Sequence, residues 1–222
     1  MCGRYALVSG AEELVEAFDV ALPAFELVAR YNIAPGQDVP VVAEDRRGRR
    51  MGRLRWGFVP SWKDEPGSGL VNARSETVRT APSFRDAFSH RRCLVPADGF
   101  YEWRREGDRK VPHWFHPRDG RVVSFAGIWE RWSRPDAEPR HTFAILTTDA
   151  NEDVAPIHDR MPVVVAPEHR AQWLSRASDS DDLAGILRPA TPGTFESHEV
   201  STRVNRADED DPGLIEPLAA PG

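Results

Sequence analysis

Residues 93–128 read CLVPADGFYEWRREGDRKVPHWFHPRDGRVVSFAGI, and this stretch decides the fold class. Short apolar and aromatic runs alternate with Asp98-Gly99, Glu106-Gly107-Asp108 and Asp119-Gly120. Asp and Asn bond their own backbone in turns, and Gly accepts the positive φ that tight turns demand. The spacing predicts strands over 93–95, 100–103, 112–116 and 122–128, with a hairpin tip at 106–108. The last two strands are expected to pair around Asp119-Gly120.

The same grammar extends outward. Residues 4–9 are expected as a first strand, ended by Ser9-Gly10. Leu14, Val15 and Phe18 recur at helical spacing behind Glu12 and Glu13, so 11–18 is expected as a helix. Residues 31–36 (YNIAPG) are expected as a loop, 39–43 and 51–59 as strands around an exposed turn at 46–50, and 60–69 as a loop. Residues 71–79 have no clear period. A helix is expected over 83–89, a solvated loop over 133–140, and strands over 142–148 and 161–165. Helices are expected over 167–174 and 180–187, then a last strand over 197–204. The acidic, Pro-rich 206–222 is expected to be partly ordered. No repeat and no regular βαβ alternation occurs. The fold class is α+β: a single mixed domain, residues 1–222, with a strongly bent, largely antiparallel sheet and short peripheral helices. Its core is placed at about 2–205.

Composition narrows the function. Two cysteines, Cys2 and Cys93, do not make a disulfide framework. No apolar run reaches membrane-spanning length, and MCGRYALVSG has no signal-peptide core, so a cytoplasmic location is expected. Residues 1–110 carry 18 Lys and Arg against 16 Asp and Glu, and residues 111–222 carry 11 against 19, for a net charge of −6. A nucleic-acid site needs only a local basic surface, which the front half can supply. The histidines (90, 113, 116, 141, 158, 169, 198) lack metal-ligand spacing, and no phosphate-cradling glycine loop or hydrolase elbow is present. No metal or cofactor is expected.

Cys2 is the most informative residue. With Met1 removed it carries an α-amine beside its own thiol. An amine attacks an aldehyde to give a Schiff base, and a neighbouring thiol can then close a five-membered thiazolidine ring. From position alone, Cys2 is equally a small second residue without a role. Asn72 and Arg74 alternate in NARSE and would share one face of an extended stretch, Arg74 suiting a phosphate. Glu102 lies between Tyr101 and Trp103. Buried, it would titrate high and move protons; alternatively, it faces solvent while its neighbours face the core. His158, in IHDRMP, is a proton carrier or part of a structural ion network with Asp159 and Arg160. Trp56, Phe58 and Trp62 are stacking surfaces or core. The arginines at 46–55 are a phosphate track or a solvated hairpin.

MCGRY, WGFVPSW, NARSET, PSFR, RRCLVPADGFYEW, FAGIWE, FAILTTDAN, IHDRMPVVV and RVN occur in this order across residues 2–205. Together they resemble the signature blocks of the SOS-response-associated peptidase family, also described as abasic-site processing proteins. The resemblance implies a mature Cys2, exposed by autocatalytic removal of Met1, that forms a thiazolidine DNA–protein crosslink with the ring-opened sugar of an abasic site. The substrate would be single-stranded DNA or a single/double-strand junction. Crosslink reversal and weak lyase activity are implied too. Asn72 would orient the amine, Glu102 would transfer protons, and His158 would open the sugar. Arg4, Arg74, Trp56, Thr148 and Arg160 are the implied DNA contacts. A monomer, associated with the nucleoid during repair, is expected. The rivals are a cysteine peptidase acting on other proteins, a non-catalytic single-stranded DNA-binding module, and an interaction domain.

Overall fold

The tight turns organise almost everything that follows. The computed structural model describes residues 2–179 and 181–218. Its strands are β1 Tyr5–Leu7, β2 Arg30–Ile33, β3 Asp38–Asp45, β4 Gly48–Trp56, β5 Asn72–Arg74, β6 Arg92–Ala97, β7 Gly99–Glu106, β8 Arg109–Pro117, β9 Val123–Arg134, β10 Ala137–Asp149, β11 Arg160–Pro162 and β12 Phe195–Glu199. Three short helices, α1 Ala11–Phe18, α2 Arg85–His90 and α3 Arg170–Leu174, lie at the periphery.

Two sheets form. One is antiparallel in the order β12-β8-β7-β1-β2. In the other, β10 pairs with β4 on one side and β9 on the other, while β4–β3, β3–β6 and β6–β9 complete a closed ring. β5 and β11 extend β10 beyond that ring. The strongly bent, largely antiparallel sheet expected from the sequence is therefore a barrel-like arrangement. Only β10–β4 and β10–β5 are parallel among the described pairs.

Core residues come from both sheets. Tyr5, Trp56, Phe100, Phe115, Phe125 and Phe195 are fully or almost fully buried and contact one another edge-on or stacked. Closure is tight at Gly127, where a Cβ would stand 2.7 Å from Cys93 Sγ.

Several expectations are corrected. Tyr31–Ile33 is strand, not loop, because it pairs with β1. Residues 112–116 and 122–128 do not pair: β8 lies between β7 and β12, and β9 between β6 and β10. The Asp119-Gly120 turn carries the chain from one sheet to the other. Both faces of the 123–128 run are largely buried, which suits a ring strand. The solvated loop expected over 133–140 is the end of a long hairpin, in which Ala137 to Arg140 stay exposed while β9 and β10 pair. Residues 181–187 are turns rather than helix; Leu183 and Ile186 are buried at their helix-like spacing. Ser180 lies outside the described residues. Strand 161–165 shortens to β11 plus a bridge from Val164 to Phe125, and strand 197–204 becomes β12 followed by a 3₁₀ turn, Thr202–Asn205.

The acidic tail is packed as far as it is described. Asn32, fully buried, donates from Nδ2 to the carbonyls of Glu209 (2.7 Å) and Arg206 (2.9 Å). Asp210 accepts from the backbone N–H of Tyr31 and Asn32 and pairs with Arg30. Ala6, Tyr101, Trp114, Val200, Val204 and Leu214 form a second small core beneath this segment.

Candidate active site

Glu102 owes its position to strand alternation. It shares a face of β7 with Phe100, whose ring stacks on Phe115 at 5.0 Å in the main core. Tyr101 faces the other way, into the small core under the C-terminal segment. Both faces of β7 are covered here, so Glu102 is only 2 % exposed. Burial pushes its carboxyl up to about 7, with the negative charge of Asp159 adding to the shift. A carboxyl with that midpoint can give or take a proton at neutral pH.

His158 faces it. Its Nε2 lies 3.7 Å from Glu102 Oε2. The backbone N–H of Arg160 donates to His158 Nδ1 at 3.0 Å, an assignment that leaves the ring proton on Nε2, towards Glu102. Burial lowers the basicity of the half-buried ring, so it is neutral near pH 7. The preceding segment is pinned by Asn151, which donates from Nδ2 to the Ala190 carbonyl, and by the bond from Ala150 N–H to the Asp159 carbonyl.

Cys2 is fully buried and free. Burial raises its thiol pKa strongly, and the nearby Glu102 charge raises it further. The group is therefore a thiol at neutral pH and needs a base to attack. Cys93 is also free and buried, and burial alone raises its thiol. No acid or base stands among the causes of its shift, which suits a packing residue.

β5 brings Asn72 and Arg74 alongside β10, in register with Ile145 and Thr147. Asn72 Nδ2 reaches the Ile145 carbonyl at 3.4 Å, and Arg74 is exposed with no ion pair among the described residues. Arg160 is committed elsewhere: it bonds both Glu76 oxygens (2.7 and 3.0 Å), Asp149 (2.7 Å) and the Thr147 carbonyl (2.7 Å). It clamps β5, β10 and β11 together.

Three expected DNA contacts are not presented to solvent. Trp56 is fully buried, donates to the Val71 carbonyl and packs on Tyr5 and Phe143, so it is core rather than a stacking surface. Phe58 is buried as well, whereas Trp62 is 65 % exposed. Arg4 bonds Asn32 Oδ1 and the Val204 carbonyl, so it anchors the C-terminal segment. Thr148 is buried opposite Met161. Its neighbour Thr147, aligned with Arg74, carries the buried hydroxyl without a hydrogen-bond partner. Strand alternation separates the two threonines, but a TT pair in the sequence does not say which one faces β5.

This architecture and this cluster have known counterparts. The family described as "SOS response associated peptidase (SRAP)" matches residues 1–207, and the chain belongs to that family. Among curated relatives, abasic site processing protein YoqW of Bacillus subtilis is 39% identical, over 97% of this chain and 99% of its own length. Abasic site processing protein YedK of Escherichia coli is 31% identical, over 98% and 100%. Abasic site processing protein HMCES of Gallus gallus is 33% identical, over 98% of this chain and 78% of its own. A solved protein from Bacteroides thetaiotaomicron superposes with a TM-score of 0.88 at 24% identity, covering 98% of this chain and all of its own, which establishes a shared fold. A phage-related protein from Bordetella bronchiseptica gives 0.72 at 32% identity, covering 90% and 95%.

Proposed function

We propose that this chain processes abasic sites in single-stranded DNA by covalent trapping at Cys2. The observation that carries the proposal is the meeting of a buried Cys2 thiol with a proton-transfer pair, Glu102 and His158. The names of the relatives supply the substrate class.

Each step has a group to serve it. Removal of Met1 frees the Cys2 amine. His158 protonates the ring oxygen as the abasic sugar opens to its aldehyde. The amine attacks that aldehyde carbon, a C–N bond forms, and water leaves after proton transfer to its oxygen, giving the Schiff base. The Cys2 sulfur then adds to the same carbon. Its proton passes to Glu102, the C=N electron pair returns to nitrogen, and the thiazolidine ring closes. Reprotonation of sulfur by Glu102 runs the last step backwards. Asn72 orients the amine, Arg74 meets a phosphate, and Thr147 offers its hydroxyl to the sugar or its phosphate.

Intact-protein mass spectrometry with single-stranded DNA carrying one abasic site tests this. Expected is a chain lacking Met1, shifted by the DNA mass less one water and stable to heat. Cys2→Ala should show no adduct. Cys2→Ser should show one only after borohydride, because the Schiff base then has no thiol to close its ring. Retention of Met1 with no adduct would overturn the proposal.

A further inference from the structure

The β7–β8 hairpin turns on Gly107-Asp108, and its register sets Glu106 opposite Arg109 and Glu102 opposite His113. Directly opposed residues of an antiparallel pair share a face, with Cβ atoms about 5 Å apart. On the far side of β8, β12 sets Glu199 opposite the same histidine. Glu102, His113 and Glu199 thus form one row across three strands, buried at Glu102 and exposed at Glu199. His113 is itself buried, and its Nε2 is shielded from solvent without a hydrogen-bond partner. Buried polar atoms are seldom left so, and this one sits beside the proton-transfer residue.

A protonated carboxyl has one accepting oxygen and one O–H donor. His158 Nε2–H, 3.7 Å away, faces the accepting side. The donor side calls for a neutral acceptor, and the unmatched His113 nitrogen is one. Resting on the reading of Glu102 as the proton-transfer group, we propose that His113 is its positioning residue: Glu199 accepts from Nδ1–H, and Nε2 accepts the Glu102 O–H. A small turn of either side chain closes the pair, as proton-transfer contacts commonly tighten only in the working complex. The arrangement keeps Glu102 in its acid form and directs its proton.

The charges around the row fit this role. Burial first, then Arg104 and His198, lower the basicity of His113, while Glu199 and Glu106 oppose them. The ring is therefore neutral near pH 7 and has a lone pair to offer. On the other side, Glu102 faces His158, Asp159 and Cys2.

The test is a carbon-detected NMR titration of the glutamate carboxyls in the DNA-free protein, with Glu102→Gln identifying the signal. His113→Phe keeps the volume and removes the acceptor. It should lower the Glu102 midpoint by about half a pH unit or more, because the acid form loses its partner. His113→Gln, whose amide oxygen accepts, should restore it. Glu199→Gln leaves the ring in place and should shift the midpoint the same way by a smaller amount, which decides the matter if His113→Phe does not fold. An unmoved midpoint in His113→Phe and Glu199→Gln, or equal shifts in His113→Phe and His113→Gln, would overturn the proposal. The pH profile of crosslinking should follow, about threefold in rate at the limiting pH for half a pH unit. Failure of the wild-type chain to trap abasic DNA would remove the Cys2 reaction and leave the titration result standing.

Discussion

Glu102 is the residue at which function and stability pull apart. In an unfolded chain its carboxyl would titrate near 4.5, whereas burial in the fold moves it to about 7. Between those values the folded protein holds a proton that the unfolded chain has released, so stability falls as pH rises through this window and stays reduced above it. Each pH unit between the two midpoints corresponds to about 1.4 kcal/mol, which makes a cost of a few kcal/mol at pH 8 an upper bound. Glu102→Gln removes the titration. In urea unfolding it should gain stability relative to wild type from pH 5 to pH 8 and level off beyond, while the same variant loses proton transfer in the trapping assay. A pH-independent difference between the two proteins would show that the carboxyl carries no such penalty. His158 and Cys2 follow the same logic: one ring is kept neutral and one thiol kept protonated, both by burial. The family motifs pointed to all three residues. The motifs are silent on His113, although the sequence contained the signal, because a two-residue turn at Gly107-Asp108 fixes which residue stands opposite Glu102.

At the scale of elements, the turn dipeptides and the alternating runs were enough to place most strands, and insufficient to pair them. Asp119-Gly120 looks like any hairpin tip, and only the sheet partners of β8 and β9 show that it joins two sheets. Burial of both faces is a tertiary property, so alternation could not say that Trp56 points inward while Arg55 stays exposed. Likewise, residues 137–140 are polar because they are exposed, not because they leave the ladder. The close approach of β6 to β9 makes a specific demand on one position. A methyl at Gly127 would meet Cys93 Sγ at 2.7 Å and Val95 Cγ2 at 3.2 Å. Gly127→Ala should therefore cost about 1–3 kcal/mol by overpacking. Cys93→Ala in the same chain should recover part of that loss. A double-mutant cycle from denaturant midpoints measures it, and strict additivity would show that the strain lies elsewhere.

For the whole molecule, the acidic C-terminal half is not spread evenly. Asp210 and Asp211 are engaged with Arg30 and Arg203, and they fasten residues 206–218 over the outer face of the first sheet. Composition marked this stretch as a tail because its charges and prolines cannot build a core of their own. The fold gives it a place by presenting Asn32, whose side chain bonds the carbonyls of Arg206 and Glu209 and accepts from Arg4. Asn32 is thus the point where the segment is tied down. Asn32→Ala would leave several buried polar groups unmatched at once, and a loss of about 2–4 kcal/mol is expected in denaturant unfolding. Loosening the segment should uncover Tyr101 and Trp114, which it now shields, and raise their susceptibility to fluorescence quenching. The active-site residues lie on the opposite face of β7, so the Glu102 titration midpoint should stay near 7 in this variant. A midpoint that fell with the loss of stability would instead mean that the segment supports the site directly, through β7 and Arg4, and that the two faces of this sheet act as one unit.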